Sequence, residues 1–133
     1  MIEKTFPATD DSLAGAISFV EDELNKLECS SKNIMQITVC VEEMFVNVAH
    51  YAYGGETGEV TLVIDNENST VSITLVDSGA PFDPLKKEDP DITLSAEDRQ
   101  IGGLGIFMVK KSMNEVTYER RDNKNIFTMK KNI

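Results

Sequence analysis

The N-terminal part of the chain repeats its apolar residues with the period of a helix. Ile2 to Phe6 reads as a short strand, and Pro7 separates it from a helix starting near Asp10 or Asp11, with Leu13, Ile17, Val20, Leu24 and Leu27 on one face. Ser30 or Ser31 can cap a second helix, in which Ile34, Ile37, Val41, Met44, Phe45 and Val48 make a wide apolar stripe. That helix is expected to end between His50 and Tyr53, before Gly54-Gly55. From Gly58 the period becomes two. Val60, Leu62 and Ile64 alternate with polar residues, Asn66 to Ser69 supplies turn chemistry, and Val71, Ile73 and Leu75 alternate again. Glu115 to Arg120 and Ile126 to Met129 repeat the pattern around a turn read as Asp122-Asn123-Lys124-Asn125, after a short helix over Leu104 to Met113.

The expected fold is therefore α+β: a two-layer sandwich with a mixed, mostly antiparallel sheet and helices on one face. With 133 residues the chain fits a single domain, 1–133, able to bury a core without disulfides or metals. The stretch from Gly79 to Gly103, with Pro81, Pro84, Pro90 and the charged run Lys86 to Asp91, is too long for a simple connection, and such loops are usually functional or disordered.

Charge and composition narrow the function. A formal net charge of −10 with no dominant basic stripe argues against nucleic-acid binding and suits solubility or a basic protein partner. No apolar run approaches the roughly 20 residues needed to span a bilayer. Met1 to Phe6 lacks the features of a secretory signal, so the expected compartment is cytoplasmic, with Cys29 and Cys40 reduced. An anion would meet an unfavourable overall field here, so its site has to be built locally.

Three places break the local rules. At about 100° per residue, Gln36, Glu43, Asn47 and His50 fall within one stripe of the second helix, opposite Val41. A solvated face would account for a polar stripe. Asparagine is a poor mid-helix residue, however, and Val39 and Val46 flank the stripe, as on a half-covered face. An asparagine oxygen suits magnesium, and Glu43, one turn earlier, is placed to accept a proton; Glu42 points about 100° away. His50 is either a polar contact or an ordinary helix-end histidine.

Asp77 keeps the parity of Val71, Ile73 and Leu75, which turns a carboxylate toward the buried face. Either it simply starts the turn Asp77-Ser78-Gly79, or it accepts a hydrogen bond from an exocyclic amine such as adenine's, with Gly79 letting a flat ring approach. Gly102-Gly103-Leu104-Gly105 opens a helix, where free N–H groups and the helix dipole make an anion site independent of net charge. A tight loop-to-helix junction would use the same residues. Lys110 and Lys111 stand in the last turn of that helix, where they complement its dipole.

In order, Glu43-x3-Asn47, Asp77-x-Gly79 and Gly103-x-Gly105 resemble the three nucleotide-binding boxes of the gyrase, histidine kinase and mismatch-repair ATPase superfamily. Within it, the stretches 41–53, 77–84 and 102–109 are similar to those of the small anti-sigma factor serine/threonine kinases, and the resemblance covers nearly all of the chain. It implies ATP and Mg2+ as cofactors, Asn47 as the metal-coordinating residue, Glu43 as the general base and Asp77 as the adenine-reading acid. Gly79 would then shape the mouth of the pocket, Gly103 and Gly105 would be the phosphate-facing glycines of the cofactor-binding turn Gly102-Gly103-Leu104-Gly105, and residues 80–101 would be the ATP lid. It further implies a STAS-type anti-sigma antagonist as phosphoryl acceptor, a sigma factor as second partner, and homodimers. Two departures stand out: Tyr51 replaces the histidine common four residues after the asparagine, and no glycine-threonine pair lies near Lys124-Asn125. A binding module without phosphotransfer, simple ATP hydrolysis and a ligand-free structural domain are the competing expectations.

Overall fold

The computed structural model describes residues 1–86 and 103–133. Its strands are β1 (Ile2–Pro7), β2 (Glu59–Glu67), β3 (Thr70–Asp77), β4 (Glu115–Arg121) and β5 (Lys124–Asn132), and its helices α1 (Leu13–Lys26), α2 (Ser31–Asn47) and α3 (Gly103–Ser112). The strands form one five-stranded sheet in the order β1-β2-β3-β5-β4. All of its pairings are antiparallel, so the expectation of a mixed sheet resolves to a wholly antiparallel one among the described residues.

Alternation on the strands decides which face is covered. Val60, Leu62 and Ile64 of β2, Val71, Ile73 and Leu75 of β3 and Phe127 and Met129 of β5 are buried, while their odd-phase neighbours stay partly exposed. The helices supply the other layer. Ala16, Val20 and Leu24 of α1, Ile37, Cys40, Val41, Met44 and Phe45 of α2, and Ile106 and Val109 of α3 fill the space above the sheet. α2 lies in the middle, packed against both α1 and α3. Burial pushes the Cys40 thiol up from its ordinary value, the hydrogen bond to Ser112 and the charge of Lys131 opposing only part of that effect.

Several boundaries differ from those read in the sequence, each for a local reason. Asp10–Ser12 is a tight turn and the first helix begins at Leu13. Both hairpin turns are shorter than composition suggests. Asn68 and Ser69 take φ of 51° and 61°, and Asp122 and Asn123 take 54° and 61°, so two left-handed residues close each hairpin. The expected four-residue turn 122–125 is corrected accordingly: Lys124 and Asn125 belong to β5, and Asn125 is buried.

Ser30 caps α2 by accepting a hydrogen bond from the Asn33 N–H at 3.1 Å. Past Asn47 the helix loosens into a wider turn over Val48–Ala52, a feature that recurs at functional sites. The carbonyls it frees are put to use, since Ala52 O accepts from Ala80 N at 2.9 Å. Tyr53 holds the same junction from the side: its hydroxyl donates to Glu59 O and accepts from Ser78 N at 2.9 Å. The end of β3 is thereby fastened to the end of α2. No helix among the described residues is long and apolar enough to cross a membrane.

Candidate functional site

The end of β3 and the C-terminal part of α2 meet around a cavity of about 180 Å³. Met44, Val48, Leu75 and Phe127 give it an apolar floor, and Asn47, Asp77 and Asn125 bring polar atoms to its wall. Tyr51 and Phe82 stand at the rim, both exposed. An apolar pocket with a few convergent polar groups is the usual construction of a small-molecule site.

Asp77 is there because of strand parity. In register it lies between Val60 of β2 and Asn125 of β5, on the covered face, and it is 6% exposed. Its Oδ1 accepts from Gly79 N and from Asn125 Nδ2, each at 2.9 Å. Among the described residues its Oδ2 takes no hydrogen bond, which leaves one acceptor for a ligand. Gly79 is glycine because of a close approach: a Cβ there would stand 2.2 Å from Ala52 O and 2.7 Å from the Ala52 carbonyl carbon.

Asn47 is half-buried at the last position of α2, and its amide has no hydrogen-bond partner among the described residues. Glu43 lies one turn earlier. It does not line the cavity; its carboxylate runs instead to α3, where a Cβ on Gly105 would stand 2.5 Å from Glu43 Oε2. The missing side chain at Gly105 is what lets that acid reach the first turn of α3. The N–H groups of that turn lack intrahelical partners and the helix dipole favours negative charge there.

Thus Asn47 and Asp77 share one cavity, and Glu43 links the same helix to the glycine turn. Gly103 and Leu104 open α3, whereas Gly102 and residues 87–101 lie outside the described residues. His50 does not join the group. The widened turn starting at Val48 swings it off the stripe of Glu43 and Asn47, and its Nε2 pairs with the Asp10 carboxylate at 2.8 and 2.9 Å. The described residues hold no cluster of three or more His, Cys, Asp or Glu side chains able to bind a metal by themselves. A hard oxygen at Asn47 is compatible with magnesium, which usually takes one or two protein ligands and completes its shell with phosphates and water.

Sequence reading missed Asn125, Tyr118 and Arg120. Asn125 Oδ1 receives the Tyr118 hydroxyl and, at 3.2 Å, Arg120 Nη1, which also donates to Gly79 O at 2.9 Å. The signal was available: counting back by two from Met129 and Phe127 brings Asn125 to the inner face.

Comparison with known proteins identifies close patterns. The family described as the histidine kinase-like ATPase domain matches residues 6–131. The chain is 30% identical over 94 residues to the serine/threonine-protein kinase BtrW of Bordetella bronchiseptica, covering 70% of this chain and 66% of that protein. It is 24% identical over 119 residues to the serine-protein kinase RsbW of Bacillus cereus, covering 86% of this chain and 74% of that protein. Among solved structures it resembles a chain of the SiaB-SiaC complex from Pseudomonas aeruginosa with a TM-score of 0.60 and 16% identity, covering 100% of this chain and 90% of that one, a likeness of fold.

Proposed function

Because the chain belongs to the histidine kinase-like ATPase family, whose pattern runs through residues 6–131, we propose that it is an ATP-dependent serine/threonine protein kinase acting on a small anti-sigma antagonist. The observation that carries this reading is the position of Glu43: one helical turn from the amide of Asn47, which has no hydrogen-bond partner among the described residues, with its carboxylate against the first turn of α3. An acid there lies beside any phosphate held by the N–H groups of that helix start. The relatives named as serine/threonine and serine-protein kinases support the same direction.

Adenine enters the cavity and gives its exocyclic amine to Asp77, while Gly103, Leu104 and Gly105, with Gly102 before them, receive the phosphates on backbone N–H groups. Asn47 contributes a hard oxygen toward magnesium, which when bound offsets phosphate charge. The acceptor hydroxyl attacks the γ-phosphorus as the bond to the bridging oxygen of ADP breaks, and Glu43 takes the hydroxyl proton. Residues 80–101 serve as the lid. The substrate partner is a STAS-type antagonist, whose unphosphorylated form frees a sigma factor held by a homodimer of this cytoplasmic chain.

Incubating the protein with magnesium and γ-labelled ATP plus a STAS-type antagonist tests the reading. Label on a serine or threonine of the partner is expected. A stable, nucleotide-dependent complex without label would make the chain a binding module instead. Asn47→Ala is expected to remove most of the rise in melting midpoint that magnesium-ATP gives, while leaving the smaller rise with ATP in EDTA. An unchanged magnesium-dependent rise would take Asn47 out of the metal site.

A further inference from the structure

Asn125 stands near the start of β5 on the covered face, between Asp77 and Arg120 in register, and is 5% exposed. A buried amide must satisfy two donors and an acceptor, and this one does so completely. One Nδ2 hydrogen goes to Asp77 Oδ1 and the other to Ala80 O, both at 2.9 Å. Its Oδ1 takes the Tyr118 hydroxyl, Arg120 Nη1 at 3.2 Å and, more weakly, Phe82 N at 3.4 Å. The partners fix which way the amide points: a carboxylate and a carbonyl need donors, and a guanidinium and a backbone N–H need an acceptor.

Two consequences follow from this saturation. Asn125 has no hydrogen-bonding capacity left for a ligand, so it acts through others. It also serves two different objects at once, the acid of Asp77 and the backbone strap 79–82 that runs on along the cavity wall, with Arg120 holding the strap a second time at Gly79 O. A hydroxyl side chain has one donor hydrogen and could hold only one of them; a carboxylate has none.

We propose that Asn125 is a positioning residue that sets selectivity for adenine, by fixing the Asp77 carboxylate so that Oδ2 faces the ligand, and that it couples base recognition to the placement of the 79–82 strap. This rests on the reading of Asp77 as the base-contacting acid. A purine with an amine at the reading position satisfies Oδ2, whereas one with a carbonyl there meets a fixed, charged acceptor. Freed from Asn125, the carboxylate can rotate and take a water instead.

The test compares dissociation constants for ATP and ITP, which differ at that group, in the wild type, Asn125→Asp and Asn125→Ala, together with amide hydrogen exchange at Ala80 and Phe82. Asn125→Asp keeps shape and acceptors but removes both donors; Asn125→Ala removes everything. The wild type should prefer ATP by about tenfold to a hundredfold. In whichever variants melt cooperatively, that ratio should fall by about tenfold and exchange at both amides should quicken. An undiminished ATP/ITP ratio would make Asn125 a purely structural residue, and a lost ratio with unchanged exchange would remove the coupling. Equal binding of ATP and ITP by the wild type would defeat the assignment of Asp77 itself, and failure to bind ATP would defeat the kinase reading.

Discussion

Glu43→Gln should slow phosphoryl transfer by about 10²–10⁴-fold while ATP affinity stays nearly constant. Glutamine has the size of glutamate, so it fills the same space against Gly105 and leaves α2 and α3 packed as before. What it loses is the ability to hold a proton, and with that loss the acceptor hydroxyl has to shed its proton unaided as the oxygen attacks phosphorus. On the proposed reading, affinity rests on other groups, the polar wall at Asp77 and the helix start at Gly103. Transfer rates from γ-labelled ATP, with calorimetric titration of ATP into the same preparation, separate the two quantities. Wild-type transfer by the variant would remove Glu43 from the chemistry and leave it a packing partner of α3.

A second large effect is expected at Gly79, here on the fold as much as on the ligand. Ala at this position would press its Cβ into the Ala52 carbonyl, 2.2 Å away, and backbone cannot swing aside as a side-chain tip can. Relief requires the end of β3 to part from the widened turn of α2, breaking the Ala80 N to Ala52 O bond and pulling Gly79 N from Asp77. The cost is about 1–3 kcal/mol, read as a lower urea midpoint at unchanged slope. Nucleotide affinity should fall further than stability, because the acid that faces the cavity loses one of its two restraints. Full ATP affinity in Gly79→Ala would mean that this turn does not shape the pocket.

Most of the fold was legible because periodicity states which side is dry. Ile37, Val41, Met44 and Phe45 repeat at helical spacing, and Val71, Ile73, Leu75 and Asp77 share one strand parity; all of them are buried. Cys40 was passed over because a thiol is not counted among apolar anchors, although a free cysteine packs like a small hydrophobe. Asn125 was hidden by composition. In Asp122-Asn123-Lys124-Asn125 each residue suits a turn, but two left-handed residues suffice to reverse an antiparallel pair, so the other two were available to the strand. His50, expected as a polar contact or an ordinary helix-end histidine, is a polar contact to Asp10, and the regular 3.6-residue winding that set it on the stripe ends at Asn47. Nothing in local propensity announces a widened turn, since its benefit lies in distant partners at Ser78 and Ala80.

That loosened stretch also dictates where the chain tolerates a change of length. Removing one residue from Val48–Ala52 would turn every following side chain by about 100° and shift it by about 1.5 Å, taking the carbonyl of Ala52 and the ring of Tyr53 away from β3. Gly54 and Gly55, immediately after, have nothing within 4 Å of where their side chains would stand. Insertions and deletions among descendants of this sequence should therefore collect at that glycine pair and spare Val48–Ala52.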